Sequence, residues 1–168
     1  IRFNGRFGGT FVVPEGVMPP AGARVMDLQD PTSKMSKSST SDAGVVYLLD
    51  APDAIMKKFK RAVTDSDTEV RYDVANKPGV SNLLDILAAA TDSTPDKVAA
   101  DYTRYGDLKV ATGEAVVALL EPIQQRYHEL IADPGELTRL LRVGRDKARE
   151  VASATLARTY EAIGLFPA

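Results

Sequence analysis

Apolar residues change their rhythm near residue 50 of this chain. Before that point they come in short runs broken by glycine, proline and hydroxyl residues. After it they recur at helical spacing. Thr10-Phe11-Val12-Val13, closed by Pro14, reads as a short strand, as does Arg24-Val25-Met26-Asp27-Leu28. Val45 to Leu49 is a third extended run. Gly16 to Gly22, with Pro19-Pro20, is a turn-rich loop. The first residues, Arg2-Phe3-Asn4, read as the end of a helix stopped by Gly8-Gly9.

Beyond residue 50 the pattern predicts helices. Asp50 is placed to cap the first, with Pro52 and Asp53 in its opening turn and Ile55, Met56, Phe59 and Val63 as its apolar stripe. Residues 80–90, carrying Leu83, Leu84, Ile86 and Leu87, form a second. Thr94-Pro95 opens a third with proline at the favoured first position. Residues 107–132 read as one long helix or a pair, bent or broken at Pro122. Asp133-Pro134-Gly135-Glu136 has capping-box spacing and starts a short helix ending near Gly144. Residues 145–163 form the last, with Val151, Leu156, Ala157, Tyr160 and Ile163 facing inward and Gly164 closing it.

The fold expected is mainly α, with a boundary near residue 50: a small α/β portion over 1–50 and a helical bundle over 51–168. The first portion holds too few strands for a parallel sheet covered on both faces, and its edges would stand unpaired. The remainder of an α/β domain is therefore expected to precede Ile1.

Composition narrows the chemistry. The 168 residues are 44% hydrophobic and 26% charged, as in ordinary globular proteins. A net charge of −2 gives no global pull on nucleic acid, so such binding would need local basic patches. With no cysteine and one histidine, thiolate and multi-histidine metal sites are excluded. No apolar run approaches the roughly 20 residues of a membrane span.

The candidate chemistry is concentrated at Lys34-Met35-Ser36-Lys37-Ser38, flanked by Asp30-Pro31-Thr32-Ser33 and Ser39-Thr40-Ser41-Asp42. Small hydroxyl residues around two lysines favour local backbone bonds over helix or strand. Two ammonium groups on long stems in such a loop suit a polyphosphate; an ordinary exposed loop has the same composition.

The longer phrase from Gly22 to Met26 and from Asp30 to Ser38 resembles the second signature of the class I aminoacyl-tRNA synthetases. Its flanks are similar to the bacterial tryptophanyl branch, through Thr10 to Glu15, Ala62 to Ser66, Lys77 to Leu84, and Pro122 to Tyr127. The resemblance covers essentially the whole chain. It implies the end of a Rossmann-like catalytic domain over 1–50 and a helical anticodon-binding domain over 51–168. It also implies ATP-dependent activation of tryptophan, transfer to tRNA(Trp), Mg²⁺ bound mainly through the ATP phosphates, and a cytoplasmic homodimer. Lys34 and Lys37 are then the catalytic cations, and Val25, Lys34, Met35, Ser36, Lys37 and Ser38 the ATP-binding residues. A tyrosyl-type synthetase, or a non-catalytic RNA-binding fragment or paralogue, is the alternative. The first class I signature (His-Ile-Gly-His-like) is absent, so this chain by itself is expected to be inactive.

Lys57, Lys58, Lys60 and Arg61 form a basic cluster that reads either as a solvated helix face or as a contact to the tRNA backbone. Arg139, Arg142, Arg145, Lys147 and Arg149 invite the same pair of readings. Ser81 or Asn82 is expected to cap a helix, with Asn82 alternatively tying two helices together or shaping the anticodon surface. Asp65 and Asp67 read as cap and turn groups, and His128 as a surface or packed residue.

Overall fold

A computed structural model describes residues 1–19, 21–38 and 41–165. Pro20 of the turn-rich loop and Ser39 and Thr40 beside the lysine segment lie outside the described residues. Among the described residues there are six α-helices, α1 (Arg2–Phe7), α2 (Pro52–Lys60), α3 (Pro78–Ala90), α4 (Pro95–Ala99), α5 (Tyr105–Ala132) and α6 (Pro134–Ile163), with a 3₁₀ turn at Asp42–Gly44. By its contacts the chain divides into two compact units, residues 18–127 and residues 1–17 with 128–168.

In the larger unit the core is assembled around α3. Val80, Leu83 and Leu84 on that helix are fully buried, among Ile55 and Phe59 of α2 and Leu108, Val116 and Leu120 of α5. Each such side chain contributes about 1.5–3 kcal/mol of transfer free energy. Val98 of α4 and Leu28 of the first portion close the same cluster. Backbone joins backbone closely at Gly79, where a Cβ would lie 2.2 Å from the Val63 carbonyl oxygen. Only a residue without a side chain lets α3 start there.

Pro52, Pro78, Pro95 and Pro134 each open a helix, where the missing N–H costs nothing. Asp133 accepts a hydrogen bond from the Glu136 N–H at 3.0 Å, as the spacing predicts. Asp50 does not cap α2. Ala51 holds that position without a side-chain bond, and the Asp50 carboxylate accepts from the Tyr47 N–H and Lys58 Nζ instead. The Lys58 ammonium, eight residues downstream, offers the carboxylate a stronger partner than the helix N–H groups would. Nor do Ser81 and Asn82 cap α3, which starts earlier, at Pro78. Ser81 Oγ accepts from the Asp73 N–H, and Asn82 bonds elsewhere.

Three expected strands are not built as strands. Among the described residues the β structure is one isolated antiparallel bridge, Met26 with Lys34. A strand needs a ladder partner for its peptide groups. Here those groups are met by turns and side chains instead, and Leu48 and Leu49 lie exposed in a turn.

The smaller unit uses the same substitute for a ladder. Asn4 of α1 donates to the Phe11 carbonyl at 2.6 Å and accepts from the Phe11 N–H at 2.9 Å. Phe3 packs its ring against Phe7 and edge-on to Phe11, each at 4.9 Å between centroids. Gly8 ends α1 with φ 86°, as its glycines predict. Helix α6 runs unbroken through Gly144, although the sequence suggests a stop there. Glycine inside a helix costs only about 1 kcal/mol, and no breaker follows it. None of its residues is buried; Val151 is 76% and Leu156 50% exposed, so the expected inward face is not covered. Pro122 likewise sits inside a continuous α5.

Gly79→Ala is expected to destabilise the chain by about 1–3 kcal/mol or more through overpacking against a backbone oxygen. Gly106→Ala, where nothing lies within 4 Å, is expected to leave stability unchanged or raised. Urea unfolding of the two variants against the parent checks the pair.

Candidate functional site

The lysine segment grows out of a tight hairpin held at every turn. Asp27 is nearly buried and its Oδ1 accepts from the Gln29 N–H at 2.8 Å and the Asp30 N–H at 3.1 Å. Asp30 in turn accepts from the Thr32 N–H, Thr32 Oγ1 and Ser33 Oγ, the last two at 2.6 Å. The Ser33 and Thr32 hydroxyls hold its carboxyl below the ordinary range. The limbs pair through Asp27 N–H to Ser33 O at 2.9 Å and Met35 N–H to Val25 O at 3.0 Å. At Gly44 any Cβ would meet the Asp27 carboxylate at 1.8 Å, so the 3₁₀ turn can press against the hairpin only with glycine there.

This hairpin is fastened to the helical core by backbone and side chain. The Leu28 N–H donates to Gly44 O, and the Val63 N–H donates to Leu28 O at 2.7 Å. Asn82 of α3, 4% exposed, accepts from the Met26 N–H at 2.8 Å and donates Nδ2 to Met26 O at 2.9 Å. Lys34 therefore leaves a fixed base. Beyond it Ser36, Lys37 and Ser38 are exposed, with Ser36 Oγ and Ser38 Oγ 3.0 Å apart. Both lysine side chains face solvent, whereas Val25 and Met35 are half-buried and pack on the core. A cleft of about 510 Å³ lies beside the hairpin, lined by Gly22, Arg24, Met26, Thr32, Tyr72 and Asp85 among others.

The basic cluster divides in two. Lys57, Lys60 and Arg61 are exposed, and Lys57 and Arg61 border a second hollow of about 320 Å³ with Asp42. Lys58 turns inward. Its ammonium donates to Val45 O at 2.7 Å, pairs with Asp50 at 2.6 Å and lies 5.1 Å from the centre of the Tyr47 ring. Arg139 pairs with Glu136 and Arg145 with Asp146, and His128 is exposed.

Sequence reasoning did not find the buried lysine. Lys77 is 2% exposed and donates to Asp65 at 3.1 Å and to Tyr105 Oη at 2.8 Å, with Asp67 at 2.8 Å. Tyr105 also donates to Asp65 at 2.7 Å. Burial disfavours the Lys77 charge, but the bonds from Asp67, Tyr105 and Asp65 outweigh it and raise its pKa well above the ordinary lysine value. Asp65 is lowered despite its burial by Tyr105 and Lys77. The two aspartates do serve the turn, Asp65 accepting from the Asp67 N–H at 2.9 Å and Asp67 from the Thr68 N–H at 2.7 Å, but they are also the ion-pair partners of Lys77 and neither caps α3. Nearby, the Asn76 side chain, then its N–H and Arg71, bring Asp73 down to about 2. Lys77 is separated from Tyr105 by 28 residues, a distance at which no local pattern signals a pair.

The family model for class I tRNA synthetases (W and Y) matches residues 1–128. The chain belongs to that family. It is 52% identical to a tryptophan–tRNA ligase of Streptomyces coelicolor over 99% of its own length and 50% of the relative's. It is 51% identical to the tryptophan–tRNA ligase of Mycobacterium leprae over 99% and 49%. It thus spans about half the length of the curated relatives it matches. A crystal structure of tryptophanyl-tRNA synthetase from Mycoplasma pneumoniae superposes with TM-score 0.87 at 34% identity, covering 98% of this chain and 50% of that one. One from Campylobacter jejuni, complexed with ADP and tryptophan, gives 0.60 at 27% identity over 98% and 50%.

Asp73 generates a pH prediction. A carboxyl depressed on folding adds stability that is present above its unfolded pKa of 3.8 and lost as pH falls toward about 2. Asp73→Asn should therefore lower stability at pH 6 and flatten its fall between pH 4 and 2. Urea midpoints measured across that range check both effects.

Proposed function

We propose that these residues supply the phosphate-clamping lysine segment and the helical tRNA-binding part of a tryptophan–tRNA ligase. The observation that carries the reading is the hairpin: Lys34 stands on a base bonded to the core, Lys37 on an exposed turn just beyond it. Relatives at 51–52% identity bearing the tryptophan–tRNA ligase name support the amino acid. The related structure holding ADP and tryptophan supports an adenine nucleotide.

In this reading a tryptophan carboxylate oxygen attacks the α-phosphorus of ATP, the bond to the bridging oxygen breaks, and pyrophosphate leaves. Negative charge gathers on the leaving group, and cations that tighten on it in the transition state lower the barrier. Lys34 and Lys37 provide that charge, while Ser36 and Ser38 add donors to the phosphates. The exposed flanks of Val25 and Met35 face the adenine. Among the described residues no group of three or more acidic or histidine side chains converges as a metal site. Mg²⁺ is proposed, on family grounds, to bind mainly through the ATP phosphates.

Residues 1–50 are proposed to be the end of the Rossmann-like catalytic domain and residues 51–168 to be the helical anticodon-binding domain. The exposed Lys57, Lys60 and Arg61 suit tRNA phosphates. Lys58 completes the cluster but has its ammonium held by Asp50, so its part is to fix the helix. Among the described residues no helix is long and apolar enough to cross a membrane. By family, the full-length enzyme is proposed to act as a homodimer in the cytoplasm.

In the full-length protein carrying these residues, Lys37→Ala should reduce tryptophan-dependent ATP–pyrophosphate exchange by about 10²–10³-fold. Tyrosine should support no exchange. Undiminished exchange in the variant, or exchange driven by tyrosine, would overturn the reading. The 168 residues alone, whose one histidine cannot form the first class I signature, should catalyse none.

A further inference from the structure

The geometry points to Asn82 as a positioning residue for the lysine segment, an inference that rests on the reading of Lys34 and Lys37 as a phosphate clamp. Asn82 lies 56 residues from Met26 in sequence and bonds both polar groups of that residue. A primary amide has one acceptor and two donors, so it can meet a peptide's N–H and C=O together as a neighbouring strand would. Met26 stands opposite Lys34 in the isolated bridge. The flanking bonds, Asp27 to Ser33 and Met35 to Val25, carry that position across to the lysine limb. Asn82 therefore sets where Lys34 leaves the scaffold, from the wall of the cleft beside the hairpin.

The anchor on the far side is rigid. Asn82 sits in the second turn of α3 between the buried Ser81 and Leu83, and the start of that helix is pinned by the Gly79 approach to Val63 and by the Lys77 ion cluster. The bonds to Met26 thus couple the best-packed helix to the loop that closes on phosphate. Packing alone would be served by leucine at this position. A buried amide bonded to both backbone polar groups of one distant residue indicates that the height of the hairpin matters.

The test uses the full-length protein and steady-state ATP–pyrophosphate exchange. Asn82→Asp keeps the acceptor for the Met26 N–H but sets a carboxylate oxygen against Met26 O. It should lower kcat by about 10–100-fold, as a misplaced catalytic group does, while the KM for tryptophan stays unchanged. In a double-mutant cycle the effect should be non-additive with Lys34→Ala, because both act through one side chain. Ser81→Ala, beside it on α3, removes the bond to the Asp73 N–H and should change thermal stability without changing kcat. If Asn82→Asp does not fold, Asn82→Ser makes the same measurement with a smaller disturbance. Parental kcat in a folded Asn82 variant, or strict additivity with Lys34→Ala, would overturn the positioning role while Lys37→Ala still reports on the clamp. Undiminished exchange in Lys37→Ala would overturn the clamp itself.

Discussion

A short extended segment that lies in no sheet must still satisfy its peptide groups, and the Asn82–Met26 pairing does so here. The hairpin over residues 25–35 gains a partner on one side from its own limbs and on the other from a helix side chain. Leaving a buried peptide group unpaired costs about 1–3 kcal/mol, more than a typical net hydrogen bond returns. The hairpin could not rest against the core without such a partner. Everything proposed for Lys34 depends on that rest position.

Around this anchor the larger unit distributes two kinds of constraint. Apolar burial fixes the helices: Val80, Leu83 and Leu84 leave α3 no freedom to turn. Charge fixes the connections between them. Lys58 gathers Asp50 and the Val45 carbonyl under α2, and Lys77 gathers Asp65, Asp67 and Tyr105 at the head of α3. A buried charge with partners removed is far costlier than one never buried, so these lysines hold loops in one arrangement rather than adding much stability. Gln124 of α5 repeats the strategy, donating to the carbonyls of Leu48 and Asp50. The polar contacts are local clamps on a scaffold that hydrophobic packing has already placed.

Legibility in the sequence followed the range of the interaction concerned. Helices α2 to α5 could be read because their signals are local: a proline in the first turn of α2 and α4, and apolar residues at helical spacing in α2, α3 and α5. The lysine phrase at 34–38 was legible as a motif, and family membership agrees with it. What could not be read was long-range. Asn82 looked like a cap because a cap is the local use of asparagine near a helix start; its actual partner is 56 residues away. Asp65 and Asp67 are legible as turn residues, which they are, but their pairing with the buried Lys77 is not local and carries no signal. The strand at 24–28 failed as a strand because strand propensity says nothing of whether a neighbour exists. Gly144 misled in the opposite direction, since a lone exposed glycine is a weak stop.

The central claim is that the lysine segment starts from a base fixed to α3 and ends in an exposed turn. Amide hydrogen exchange on this chain tests it directly. The Met26, Asp27, Leu28 and Met35 amides are each bonded in the hairpin or its anchor, so they should exchange nearly as slowly as the core amides of α3. The Lys37 amide should exchange at a rate close to that of an open loop. Fast exchange at Met26 and Met35, alongside a slowly exchanging α3, would contradict the account.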